Sequence, residues 1–166
     1  LKGFQLWVNF PQKVKLTKPD YQEFSAEKIV VETYSDGSSV NIISGVTDKG
    51  TIGPVKNHYV DPTYMDVSLK KNGIFEQSIN TEHNAFIYVV EGEIVVGDQY
   101  DVLGARQLGV LGKGEKIIAK VSDKPARFLF IAGKPLNESV ARGCPFVMNT
   151  QEEVLHAFED FKNNQF

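Results

Sequence analysis

Six short segments rich in β-branched and aromatic residues, each closed by turn chemistry, constrain this chain more than anything else in it. They are Ser39 to Gly45, Tyr64 to Leu69, Ala85 to Val90, Glu93 to Val96, Lys116 to Val121 and Arg127 to Ala132. Around them stand Ser35-Asp36-Gly37, Asp48-Lys49-Gly50, Lys71-Asn72-Gly73, Glu91-Gly92, Gly112-Lys113-Gly114 and Ser122-Asp123-Lys124-Pro125. Gly, Asn and Asp reach the backbone angles that tight turns need, and Pro interrupts a ladder by lacking an N–H. Strands at this spacing, with no helices between them, predict an all-β sandwich or barrel. Met65, Val67 and Leu69 alternate with Asp66 and Ser68, which predicts one wet face for that strand. Phe86 to Val90 and Phe128 to Ile131 are apolar at every position, which predicts cover on both faces. Phe86, Tyr88 and Phe130 are expected to fill the interior.

Two segments fall outside this pattern. Residues 1–20 hold one strand candidate, Gln5 to Asn9, and then a loop containing Pro and Lys; they read as an inter-domain arm or linker. Residues 21–145 form the β domain. Residues 146–166 are the C-terminal helical segment, expected to pack on the barrel or on a partner domain. Thr150 is its N-cap, and Glu153 stands three residues on, the spacing of a capping box. Val154, Phe158 and Phe161 recur at i, i+4 and i+7, and Leu155 widens the apolar stripe.

Composition excludes several classes of function. A chain of 166 residues buries about 70% of its unfolded surface and needs no staples to hold a core. The net charge is -3, and Lys13, Lys15 and Lys18 are diluted by Gln12, Thr17 and Asp20, so no direct nucleic-acid binding face is expected. No apolar run approaches the roughly 20 residues that span a bilayer, so no membrane partner is expected. Cys144 is the only cysteine, which allows no intrachain disulfide and suits a reducing compartment. Its thiol, between Gly143 and Pro145, has no histidine or helix start beside it in sequence that would activate it. Glu91 and Glu93 flank Gly92 as hairpin-end carboxylates. There is no glycine-rich phosphate loop, nucleophile elbow or paired-cysteine motif. The chain opens on Leu1 and not on Met, in keeping with a fragment.

Two signatures carry a family resemblance. Pro145-Phe146-Val147-Met148-Asn149-Thr150, followed by Glu152-Glu153, resembles the C-terminal signature of the pirins, a branch of the cupin superfamily. Gly3-Phe4-Gln5-Leu6-Trp7-Val8-Asn9 resembles the segment by which pirins pass from their first cupin domain to their second. Gly53-Pro54-Val55, Tyr64-Met65-Asp66-Val67, Asn84-Ala85-Phe86-Ile87-Tyr88-Val89 and Gly133-Lys134-Pro135-Leu136 extend the likeness along the chain. Gly143-Cys144 departs from it, since pirins usually place an aromatic or His and then Gly there. The resemblance implies a cupin double-stranded β-helix, or jelly-roll barrel, with a C-terminal α-helix. It implies a bicupin parent of which this chain is the C-terminal cupin domain only. Iron is then expected in the missing N-terminal domain and no cofactor in this chain. Pirins are described as transcriptional co-regulators, as quercetin (flavonol) 2,3-dioxygenases and as redox-linked regulators, so a cytoplasmic or nuclear setting and a transcription-factor partner are implied.

Metal-binding cupins resemble one another in a His-x-His pair with a following Glu and closing Gly, and in a second motif with a Pro-x-Gly turn, a His and an Asn. Residues two apart on a strand share a face, so the paired imidazoles can meet one ion. Placed on that template, Gly92 is the closing glycine and Ala85 takes the glutamate position. Ser78 and Asn80, or Ile79 and Thr81, take the histidine positions. Gly112-Lys113-Gly114 fits the turn, Ile117 the third histidine and Val121 the asparagine. His83 lies nearby as a loop histidine that would ligate only after a register slip; His58 and His156 read as surface residues. No catalytic, metal or cofactor residue is therefore expected. The resemblance and the empty ligand positions together imply a structural and protein-interaction half, with Leu6, Trp7, Val154, Phe158 and Phe161 as the candidate domain or partner interface, and self-association of a fragment that exposes them. The alternative is part of a quercetin 2,3-dioxygenase whose iron site is in the other domain. A third reading, a metal-free sugar- or small-molecule-binding barrel, would be marked by a polar pocket inside the barrel near Ser78, Asn80 and Thr81.

Overall fold

A computed structural model of the chain describes residues 3–165. They form two compact units: Gln22–Pro135, and the arm through Tyr21 together with the segment from Leu136 onward. The second unit begins ten residues earlier than the helical segment drawn from the sequence, because a short hairpin packs on the helix.

The first unit is built from β1 (Val30–Thr33), β2 (Ser39–Ser44), β3 (Thr63–Leu69), β4 (Ile74–Ser78) and β5 (Asn84–Glu91), then β6 (Glu93–Val96), β7 (Asp101–Gly104), β8 (Leu108–Val110), β9 (Lys116–Lys120) and β10 (Ala126–Gly133). One sheet has the order β1-β2-β3-β10-β5-β8 and the other β4-β9-β6-β7. Apolar side chains from both sheets meet in one core, which includes Val40, Ile42, Met65, Val67, Ile87 and Phe130 from the larger sheet and Phe75, Ile94 and Ala119 from the smaller. Phe75 sits at its centre, edge-on to Phe128 at 5.7 Å and 5.9 Å from Phe130. This is the double-sheet arrangement the strand spacing implied.

The parity of β5 differs from expectation. Ala85, Ile87 and Val89 are buried, while Phe86, Tyr88 and Val90 lie half-buried on the other face. Ala132, Phe130 and Phe128 of β10 pair with Ala85, Ile87 and Val89, so these three cross-strand pairs share the inward face. Phe130 fills the interior as expected; Phe86 and Tyr88 do not. On β3, Asp66 is covered by Arg127 of β10, whose Nε and Nη2 donate to the two carboxylate oxygens at 2.9 and 2.6 Å. The face expected to be wet is therefore partly roofed.

One carboxylate is buried in this unit. Glu32 on β1 is 9% exposed and accepts a hydrogen bond from the Thr47 hydroxyl. The Lys49 ammonium lies 3.6 Å from it and also 3.6 Å over the Tyr34 ring. Burial alone would raise its pKa; hydrogen bonds from Thr47 and Thr51 and the charge of Lys49 outweigh burial and hold it below the ordinary 4.5. A depressed carboxylate stabilises the fold above its unfolded pKa and loses that contribution as pH falls through the folded value. Glu32→Gln is thus expected to cost about 1–2 kcal/mol at pH 7. The gap from wild type should close in unfolding curves taken progressively below pH 4.5.

In the second unit, β11 (Ala141–Gly143) and β12 (Phe146–Met148) form an antiparallel hairpin that leads into α1 (Gln151–Lys162). The capping box forms: Glu153 N donates to Thr150 Oγ1 at 3.1 Å, and Thr150 N donates to Glu153 Oε2 at 3.0 Å. Thr150→Ala is expected to lower stability by about 1 kcal/mol, read as a fall in the melting temperature. The helix seats so closely on β11 that a Cβ added at Gly143 would come within 2.6 Å of Val154 Cγ1. The arm belongs to the same unit. Gln12 donates from its backbone to Glu138 at 2.8 Å and from its side chain to Glu153 at 2.8 Å, and Lys15 Nζ donates to the Val147 carbonyl at 2.9 Å. Residues Gln5 to Asn9 carry no strand. No helix among the described residues is long and apolar enough to cross a membrane.

Candidate functional site

Several of the positions matched to the metal-cupin template converge in this chain. Ile79, Ala85 and Ile117 line one recess of about 370 Å³ at the mouth of the β unit. A second recess of about 180 Å³ is lined by Asp61, Thr63, Ser78, Asn80, His83 and Phe130 among others. Ile79 and His83 belong to both. Ala85 and Ile117 face inward and are buried, as is Val121. Thr81 and Val121 line neither recess.

The donor set does not suit iron. Alanine, isoleucine and valine offer no lone pair, whereas such an ion wants several His or carboxylate ligands facing it with open positions left over. Among the described residues no group of three or more His, Cys, Asp or Glu is gathered where an ion could sit. His83 is the nearest approach. It lines both recesses from the bend just before β5, outside the alternation of that strand. Its side chain is only 8% exposed, and Nε2 lies 4.0 Å from Asp61 Oδ2. Ser78 is already engaged: its hydroxyl donates to Asp48 Oδ2 at 3.0 Å. His58 is exposed, and His156 lies on the helix surface, 3.7 Å from Asp160 one turn on.

The interface candidates divide. Val154 is 1% exposed and packs on Gly143 within its own unit, so it is not available to a partner. Its place in the i, i+4, i+7 stripe marked a buried face; spacing alone does not tell cover by the same unit from cover by another. Leu6, Trp7, Phe158 and Phe161 are exposed, Trp7 at 67%. Phe158 and Phe161 both pack their rings on Phe146, at 5.1 and 6.0 Å. Phe146 in turn lines a groove of about 540 Å³ with Trp7, Leu16, Val140, Arg142 and Met148. The aromatic surface of helix, hairpin and arm is therefore continuous through Phe146. Leu16 and Val140 carry no signal of their own in the sequence: Leu16 is a lone apolar residue between Lys15 and Thr17, and Val140 follows Ser139 with only Ala141 beside it, patterns that surface loops also show.

The profile of the pirin C-terminal cupin domain matches residues 64–166. The chain belongs to the pirin family. A pirin-like protein of Caulobacter vibrioides is 40% identical over all of this chain and 59% of its own length. Pirin of Mus musculus is 37% identical over 97% of this chain and 56% of its own length. A crystal structure of quercetin 2,3-dioxygenase from Acinetobacter baumannii superposes with a TM-score of 0.88 at 28% identity, covering 96% of this chain and 55% of that one. The chain thus spans little more than half the length of the pirins it matches, and its β unit is a cupin fold with one C-terminal helix beyond it in sequence.

Proposed function

We propose that this pirin domain is a contact module: it carries no metal or catalytic group of its own, supports a second cupin domain and presents apolar surface to a protein partner. The observation that supports this most is the filling of the inherited glutamate and third-histidine positions by the buried apolar residues Ala85 and Ile117. The exposed aromatic surface of Trp7, Phe158 and Phe161 is consistent with it. A buried aromatic at the centre of a contact is worth about 2 kcal/mol or more, so a few such residues suffice to hold a partner. In this reading iron belongs to the other cupin domain, and the partner of the assembled protein is a transcription factor in the cytoplasm or nucleus.

The quercetin 2,3-dioxygenase name of the Acinetobacter relative favours a second reading. There the assembled protein opens a flavonol with dioxygen at the other domain's metal, and this domain supplies support only.

Sedimentation tests the contact reading. The chain is titrated against itself and against the remaining cupin domain of the same protein, with the emission of Trp7, its only tryptophan, as a local probe. The expected result is a concentration-dependent rise in mass with a blue shift, weakened about 30-fold in Phe161→Glu. A strict monomer in both titrations, with Trp7 emission unmoved, contradicts it.

A further inference from the structure

We propose that the mouth of the cupin barrel binds a small, uncharged, polyhydroxylated molecule of the sugar or polyol class. This goes beyond the contact role and does not rest on it. The two recesses adjoin through Ile79 and His83, and the larger, at about 370 Å³, lies at the lower end of the range for small-molecule sites. Its floor is apolar: Ala85, Val96 and Ile117 in the larger recess, and Phe130 in the smaller. The walls of the larger recess are polar and their charges offset, and Asp61 adds one carboxylate in the smaller. Asp98 and Asp101 stand with Lys113 and Lys116, so an ion of either sign meets a like charge as well as an opposite one. What remains is directional hydrogen bonding over an apolar base, which suits hydroxyl groups on a carbon ring.

His83 and Asp61 set the position of one such hydroxyl. The imidazole is nine-tenths enclosed, and its Nε2 stands 4.0 Å from Oδ2 of Asp61, whose side chain is 79% exposed; that distance is beyond hydrogen-bond range. An oxygen placed between them reaches both, donating to the carboxylate while bonding to the imidazole. Thr63 and Asn80 line the same recess and add neutral polar groups. A cation finds too few ligands there, since no third His, Cys, Asp or Glu joins the pair among the described residues.

The test is an amide-shift titration of the chain with glucose and myo-inositol as neutral probes, and with glucuronate and glucosamine as charged counterparts. Saturable shifts confined to the mouth, around His83, Gly112 and Ile117, are expected with at least one neutral probe, at millimolar affinity or tighter. The charged counterparts should bind about tenfold more weakly, and Asp61→Asn should weaken the neutral probe by a similar factor. Gly112→Phe is the blocking variant. Gly112 lines the larger recess, and a Cβ there meets nothing within 4 Å, so the substitution leaves the core alone and should abolish binding. Absence of saturable shifts with both neutral probes overturns the proposal. So do shifts centred away from the mouth, tighter binding of a charged counterpart, or unchanged affinity in Gly112→Phe.

Discussion

Phe75→Ala is expected to remove about 3–5 kcal/mol of stability, seen as a fall in the urea midpoint with little change in slope. Phe75 is 2% exposed on β4 and is the large side chain that the smaller sheet sends against Phe128 and Phe130 of the larger. Truncation loses the transfer free energy of the ring. It also leaves a cavity that two edge-packed phenyl groups on β10 cannot close, because β10 is pinned between β3 and β5 along its length. Against a total of roughly 5–15 kcal/mol for a domain, that loss is a large fraction. A cost below about 1 kcal/mol would mean that the two sheets do not share this core.

Gly92→Ala is expected to cost upward of about 2 kcal/mol. Gly92 sits where the chain leaves β5 in one sheet and enters β6 in the other. Its φ is +79°, which disfavours any residue with a Cβ. Space is the second obstacle: a Cβ would lie 2.4 Å from the Pro125 carbonyl oxygen and 2.9 Å from Ala126 Cα. Those residues belong to the neighbouring crossing, from β9 back to β10, so two inter-sheet crossings pass each other at this glycine. The closing glycine of the cupin motif is thus explained by backbone approach, with no reference to metal. Thermal unfolding of Gly92→Ala beside Gly97→Ala separates the two causes. Gly97 also has a positive φ, of 69°, but open space around its Cβ. Equal losses would show that strain alone accounts for the effect.

Much of this fold was legible because its central strands are both apolar and bounded by turns. The six strands read from the residues correspond to β2, β3, β5, β6, β9 and β10, which supply most of the core. β1, β7 and β8 escaped notice. They are short, and none buries an apolar side chain, the only buried position being the polar Glu32 of β1, so the alternation that betrays a strand is missing. β4 hides differently: its inward positions are Phe75 and the polar Gln77, whose amide donates to Asp48 at 3.0 Å. Gln5 to Asn9 shows the opposite failure, a short apolar segment that forms no strand.

The site was legible in position but not in shape. Counting from Gly92 found Ala85, and Ala85 does face the mouth. The same count requires Ile87 and Val89 to face inward, and therefore Phe86 and Tyr88 to face away. Ring size had suggested the reverse, but strand parity decides direction and side-chain volume does not. His83 reaches the mouth from the bend before β5, which strand counting does not address, and the small side chain of Ala85 lines the same recess. Val154 could not be separated from its exposed neighbours because Gly143, the residue that admits it, is far from it in sequence and carries no pattern of its own.

The central claim is that the ligand positions of a metal cupin are held here by side chains that offer iron neither imidazole nor carboxylate. It is tested most directly by loading the purified chain with ferrous iron without oxygen, removing unbound metal and measuring iron per chain by elemental analysis. The account predicts a value far below one. One equivalent of retained iron, lost on His83→Ala, would contradict it.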